Sequence, residues 1–173
     1  MRTILDFIQD DHTAALKRIK RLEKMTEKST KKTWDLTKEL VEEVLLHAAS
    51  EEKILYRAIK EKNESFRDFT LEGEIQHKLL ESCLLLLLKF RPEKDGKYKA
   101  ALSVVKKLLG HQGKEEEKEM FPKLKKSYRT SELQALGDEF KIAKKEIRPM
   151  IMMRLRGPRL KGHSSDSSRQ TFH

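Results

Sequence analysis

Six histidines are the residues whose type and spacing could do chemistry in this chain. His163 and His173 fall in a C-terminal tail. His12, His47, His77 and His111 fall one on each of four helices that the apolar periodicity predicts. The first three lie on apolar seams, and His111 lies one step from the best seam of its helix. Two of them carry a carboxylate four residues on, in His47-Ala-Ala-Ser-Glu51 and His111-Gln-Gly-Lys-Glu115. On a helix, i and i+4 stand one turn apart on the same face. An imidazole and a carboxylate so placed can reach one metal ion, or one ion and a bridge. A lone histidine on an apolar face is ordinarily a satisfied core residue. A buried carboxylate is costly unless paired, and two of them, each a turn from a seam histidine, point to metal.

The spacing repeats. His12 and His77 are 65 residues apart, while His47 to His111 and Glu51 to Glu115 are each 64. The chain thus reads as two helical hairpins, each offering His and then His-x-x-x-Glu. Depth agrees: His12 and His77 lie about 12 Å into their helices, and His47 and His111 roughly 20 Å from the ends of theirs. In an antiparallel bundle those are the same end. Four imidazoles and two carboxylates exceed one tetrahedral zinc site and suit two first-row transition ions bridged by the carboxylates. Ferritin-like carboxylate sites want paired Glu-x-x-His motifs. Glu74-Ile-Gln-His77 supplies one, and helices 1, 2 and 4 supply no second.

These residues need long amphipathic helices to position them. Leu5, Ile8, His12, Ala15, Ile19 and Leu22 define helix 1, about Thr3 to Met25. Leu40, Val44, His47, Glu51, Ile54 and Ala58 define helix 2, about Thr33 to Lys62. Helix 3 covers about Thr70 to Phe90, with His77, Leu80, Leu84 and Leu87 on its seam, and Arg91-Pro92 ends it. Helix 4 covers about Lys97 to Tyr128, past Lys94-Asp95-Gly96. A fifth, short helix starts near Ser131, and Pro149 is expected to stop or kink it. The fold class is all-α: an up-down-up-down four-helix bundle over residues 1–153 including that helix, with a basic, Ser-rich, mobile tail over 154–173. Leu84–Leu88 is apolar all round, which fits cover by the fifth segment or a homodimer contact. Tyr56 and Tyr98 could donate to the metal ligands from behind, but such residues more often sit at the core boundary with wet hydroxyls, and Cys83 is expected in packing.

Composition sets the outer limits. The 173 residues suit one domain. One cysteine excludes an intramolecular disulfide framework. The longest apolar run, Cys83–Leu88, is far short of the roughly 20 residues of a membrane span. Met1-Arg2 leads straight into acidic residues, so a cytoplasmic protein without a signal peptide is expected. The net charge is +10, but Lys is mixed with Glu along helix faces and no aromatics interleave, so no nucleic-acid partner is expected.

The stretches Leu5 to His12, His47 to Tyr56, Gln76 to Leu80 and His111 to Pro122 resemble the hemerythrin-like, HHE cation-binding domain family, over about residues 3–127. The two His…Glu-Glu…aromatic stretches are the specific part. The resemblance implies a bundle holding two iron ions (Fe2+/Fe3+) with an oxo or hydroxo bridge. His12, His47, His77 and His111 would be terminal ligands, with Glu51 and Glu115 bridging. Oxygen carriers of the family have a fifth histidine where this chain has Gly73. The set therefore resembles the four-His, two-Glu branch, tied to NO response, repair of iron centres, and iron or oxygen sensing. The implied activity is binding or reacting with O2, NO or peroxide, by a monomer or homodimer; whether it is an enzyme stays open. Relatives often carry two adjacent histidines on helix 4, and the second here is Gln112. Leu102, Val105, Leu109, Glu116 and Met120 also form a seam, so Glu116 in place of Glu115 stays open. Two rivals are an iron sensor folded by its metal and a basic helical adaptor.

Overall fold

The computed structural model describes residues 2–25, 30–62, 66–92 and 96–156. Helix α1 (Ile4–Lys24) starts where Thr3 and Asp6 cap each other. The Asp6 carboxylate accepts the Thr3 backbone N–H at 2.7 Å, and the Thr3 hydroxyl accepts the Asp6 N–H. Its buried residues keep the expected 3–4 spacing, His12 among them. Helix α2 (Thr30–Glu51) runs through a π-helical turn, π1 (Glu52–Tyr56), into α3 (Arg57–Lys62). After α4 (Arg67–Leu87), helix α5 (Gly96–Glu115) runs through π2 (Glu116–Met120) into α6 (Phe121–Ser127). Helix α7 (Thr130–Arg156) closes the described chain. Helices 2 and 4 are thus each interrupted by a π turn directly at the site carboxylates. Each π turn adds one residue, so the inward face shifts: Ile59 is buried where the regular seam pointed to Ala58.

Cross-helix contacts give the topology. On α1 and α2 the pairs are Asp11–His47 and Arg18–Glu43; between α1 and the continuous α5–π2 segment they are Gln9–Glu117 and Glu23–Lys106. Glu52–His77 and Lys60–Glu74 join π1 and α3 to α4. Each set runs in opposite directions, which is an up-down-up-down bundle. Helix α7 packs along α1 and α2. It runs parallel to α1, because Gly137 meets Ile4 and Lys144 meets Asp11.

Two expectations are corrected. The fifth helix is long, 27 residues, and Pro149 lies inside it. Pro149 and Lys145, whose carbonyl loses its amide partner, are both exposed, so water can serve that carbonyl, while buried Ile151 holds the last turns on the core. The chain stays helical through Arg156; the rest of the expected tail, 157–173, with His163 and His173, lies outside the described residues. Leu84 and Leu87 are buried, Leu86 is 44% exposed, and Leu88 lines a hollow with Met152 and Leu155 of α7. Cys83 is half-buried against the core. No helix among the described residues is long and apolar enough to cross a membrane.

Candidate metal centre

Three histidines converge in the bundle core from α1, α2 and α4. The His12 and His47 rings lie 4.9 Å apart, and His47 and His77 6.5 Å apart. Each ring is held by a carboxylate from a neighbouring helix. His47 Nδ1 lies 3.1 Å from Asp11 Oδ2, His77 Nδ1 2.8 Å from Glu52 Oε1, and His12 Nδ1 3.1 Å from Glu117 Oε1. An ionised carboxylate only accepts, so in the neutral ring, the form that can ligate a metal, each Nδ1 carries the proton and each Nε2 keeps its lone pair. All three Nε2 atoms are buried without a hydrogen-bond partner.

They face two carboxylates in the same condition. Glu51 follows His47 by one turn and is fully buried, with neither oxygen hydrogen-bonded. Its Oε2 lies 3.4 Å from His47 Nε2 and 3.6 Å from His77 Nε2. Glu116, at the start of π2, puts Oε2 3.2 Å from His12 Nε2, while its Oε1 accepts from Gln112 Nε2 at 3.0 Å and Tyr56 Oη at 3.3 Å. Lone pairs thus face lone pairs across distances that a cation can bridge. His12, His47 and Glu116 each offer an atom within 4.8 Å of the others, and Glu51, His77 and Glu116 do the same.

The electrostatics fit a cation. Burial and the nearby Glu116 push the Glu51 carboxyl well above its ordinary range. Burial also works against charge on Glu116, but the neighbouring His12 ring, which without metal takes up a second proton more readily than an ordinary imidazole because Glu116 and Glu117 face it, outweighs burial and lowers the Glu116 pKa. Burial lowers His47 to about 4, so its ring is neutral at pH 7. Burial opposes charge on Asp11 too, yet His47 and Lys144 hold it below the ordinary carboxylate range. Lys144 reaches Asp11 from α7 at 2.6 Å, and Phe140 of α7 lies against His47, ring centres 6.4 Å apart. A narrow crevice lined by Asp11, His12, Ala15, Glu43, Val44, His47 and Leu109 leads to this side.

The structure brings together five residues, His12, His47, Glu51, His77 and Glu116. It does not bring in His111 and Glu115. The His111 side chain is 69% exposed and pairs with Glu115 at 3.1 Å, outside the core. Glu115 also accepts from Gln76 at 2.8 Å. One residue of offset rotates a side chain about 100° around a helix, which separates Glu115 from Glu116. The signal was in the repeat. With Gln112 and Glu116, every paired position is 65 residues apart: Asp11/Gln76, His12/His77, His47/Gln112, Glu51/Glu116 and Glu52/Glu117. The 64-residue spacing of His111 breaks that register.

Of the two roles open to Tyr56, the structure gives it the donor's and not the wet boundary one. It is fully buried, stacks on His77 with ring centres 5.6 Å apart, and donates to Glu116. A Cβ on Gly73 would lie 2.3 Å from the Tyr56 hydroxyl, so the glycine makes room for it. Tyr98 is also buried, but its hydroxyl pairs with Thr37, away from the histidines.

The family model described as the hemerythrin HHE cation binding domain matches residues 3–124. No curated protein and no solved structure matches the chain significantly.

Proposed function

The chain belongs to the hemerythrin HHE cation-binding family, and from that premise we propose that its bundle binds two iron ions and reacts with O2, NO or peroxide. The carrying observation is the set of inward Nε2 and carboxylate oxygens that are buried and unpartnered. Histidines that were merely packed would have both ring nitrogens satisfied. The ligands in this reading are His12, His47, Glu51, His77 and Glu116. Imidazole and carboxylate together suit first-row transition ions. Iron supplies exchange between Fe(II) and Fe(III) and open positions for a diatomic ligand.

The chain's own residues do the rest. Asp11, Glu52 and Glu117 fix the tautomers and aim the Nε2 atoms inward. Tyr56 and Gln112 donate to Glu116 Oε1, which turns its free oxygen toward His12. Phe140 and the leucines of the core exclude bulk water. The test is to load the protein anaerobically with Fe(II), measure bound metal, and record the ultraviolet-visible spectrum before and after O2 or NO. Bound iron with charge-transfer bands that respond to either gas is expected. Iron-free protein, or bound iron blind to both gases, overturns the reading.

A further inference from the structure

The 65-residue repeat makes the two halves of the centre equivalent in position but not in chemistry. Going round the bundle, each ligand is held by the helix before it. Asp11 on α1 holds His47 on α2, Glu52 beside α2 holds His77 on α4, and Glu117 beside α5 holds His12 on α1. The fourth quadrant, from α4 to α5, differs in both members. Gln112 stands where the repeat places the counterpart of His47, and Gln76 where it places the counterpart of Asp11. Ligand and holder have both become amides. Gln76 turns instead to Glu115, and Gln112 is buried and donates its nitrogen to Glu116.

An amide nitrogen has no lone pair to give a metal, and its carbonyl oxygen binds transition ions more weakly than imidazole does. Glu116 adds to the imbalance. Its Oε1 is occupied by two donors, and the oxygen left free lies beside His12. One half then has two imidazoles, His12 and His47, with the free Glu116 oxygen. The other has one imidazole, His77, with Glu51, whose Oε2 lies between His47 and His77, and a Glu116 oxygen within reach.

We propose that the centre is two unequal metal subsites: His12, His47 and Glu116 take the first ion, and His77 with Glu51 and a share of Glu116 takes the second, which has one imidazole fewer, more weakly. The weaker ion, short of one protein ligand, is the one left open to a small exogenous ligand. This rests on the metal-binding reading above.

The experiment is an anaerobic calorimetric titration of the metal-free full-length protein with Fe(II), repeated with Gln112→His and with Gln76→Asp/Gln112→His. Two steps are expected for wild type, the second at least about tenfold weaker. Gln112→His should strengthen the second step about tenfold, and the double variant should strengthen it further. Mn(II) spectroscopy on wild type stands on its own if the variants fold poorly. At one equivalent, unequal sites leave nearly every ion isolated and give the six-line signal alone; equal independent sites fill by chance and put about half of the bound ions in coupled pairs, and cooperative sites put nearly all of them there. Two equally tight ions in wild type would overturn the inequality and leave the metal-binding reading standing. Wild type that binds neither ion would overturn the metal-binding reading itself.

Discussion

A neutral imidazole is a ligand only when its lone pair points at the metal, and at each of the three core histidines that choice is made by a carboxylate on another helix. Asp11 makes it for His47 and is itself held by Lys144. Asp11→Ala is therefore expected to weaken the first ion by about 10–100-fold, the usual cost of losing an outer partner, with the helical circular dichroism unchanged. Calorimetry on the purified variant reads it directly. His111→Ala and Glu115→Gln are the matched controls, since both residues lie outside the cluster. Each should change the affinity by less than about twofold, because neither removes a ligand or its holder. A large loss with His111→Ala would return the centre to the other register of α5.

At the scale of the element, packing and caps decide what the site residues can rely on. Gly137 is where α7 comes closest to the start of α1; a Cβ there would lie 3.0 Å from the Ile4 nitrogen and 3.1 Å from the Phe7 ring. Gly137→Val is expected to cost about 1–3 kcal/mol by overpacking, seen as a lower urea midpoint. The first turn of α1 makes a separate prediction. The Thr3 backbone N–H and hydroxyl hold the Asp6 carboxyl below its ordinary pKa. A lowered native pKa contributes stability that is complete above the unfolded value, near about pH 4, and lost as pH falls through the native one. Asp6→Ala should thus cost about 1 kcal/mol at pH 7, and the gap to wild type should close in acid. Much of this architecture was legible beforehand, because helical periodicity reports burial and His12, His47, Glu51 and His77 lie on clean seams. Helix 4 misled because the best-looking His-x-x-x-Glu pair lay one residue off its seam. The π turns and the long α7 were not legible: a π turn adds a residue without a sequence mark, and the penalty for Pro149 falls on an exposed face.

For the whole molecule, the question is whether the metal makes the fold or only tightens it. The buried core includes residues of every helix except α3's outer turn, and α7 adds Phe140, Ala143, Ile147 and Ile151 to it. That much apolar burial should hold the bundle without metal, so chelated protein should keep its far-ultraviolet helical signal. Its melting temperature should still fall. An ion present at 1,000 times its Kd contributes about 4 kcal/mol, which for a chain of this size is roughly 8–16 °C. Loss of helix on chelation would instead make metal-dependent folding, and hence sensing, the stronger reading. Glu51→Gln separates the two contributions, because it acts with opposite sign in the two states. In metal-free protein the Glu51 carboxyl is buried beside Glu116 with no hydrogen bond to either oxygen, so it must take up a proton or bear an unpaired charge, and a neutral amide removes that cost. Metal-free Glu51→Gln should therefore melt above metal-free wild type, while with saturating Fe(II) the order should reverse. A variant that melted lower in both states would mean that Glu51 supports the fold itself. The predicted crossing, read from four melting curves, would show a core that gives up stability to keep a place for its ions.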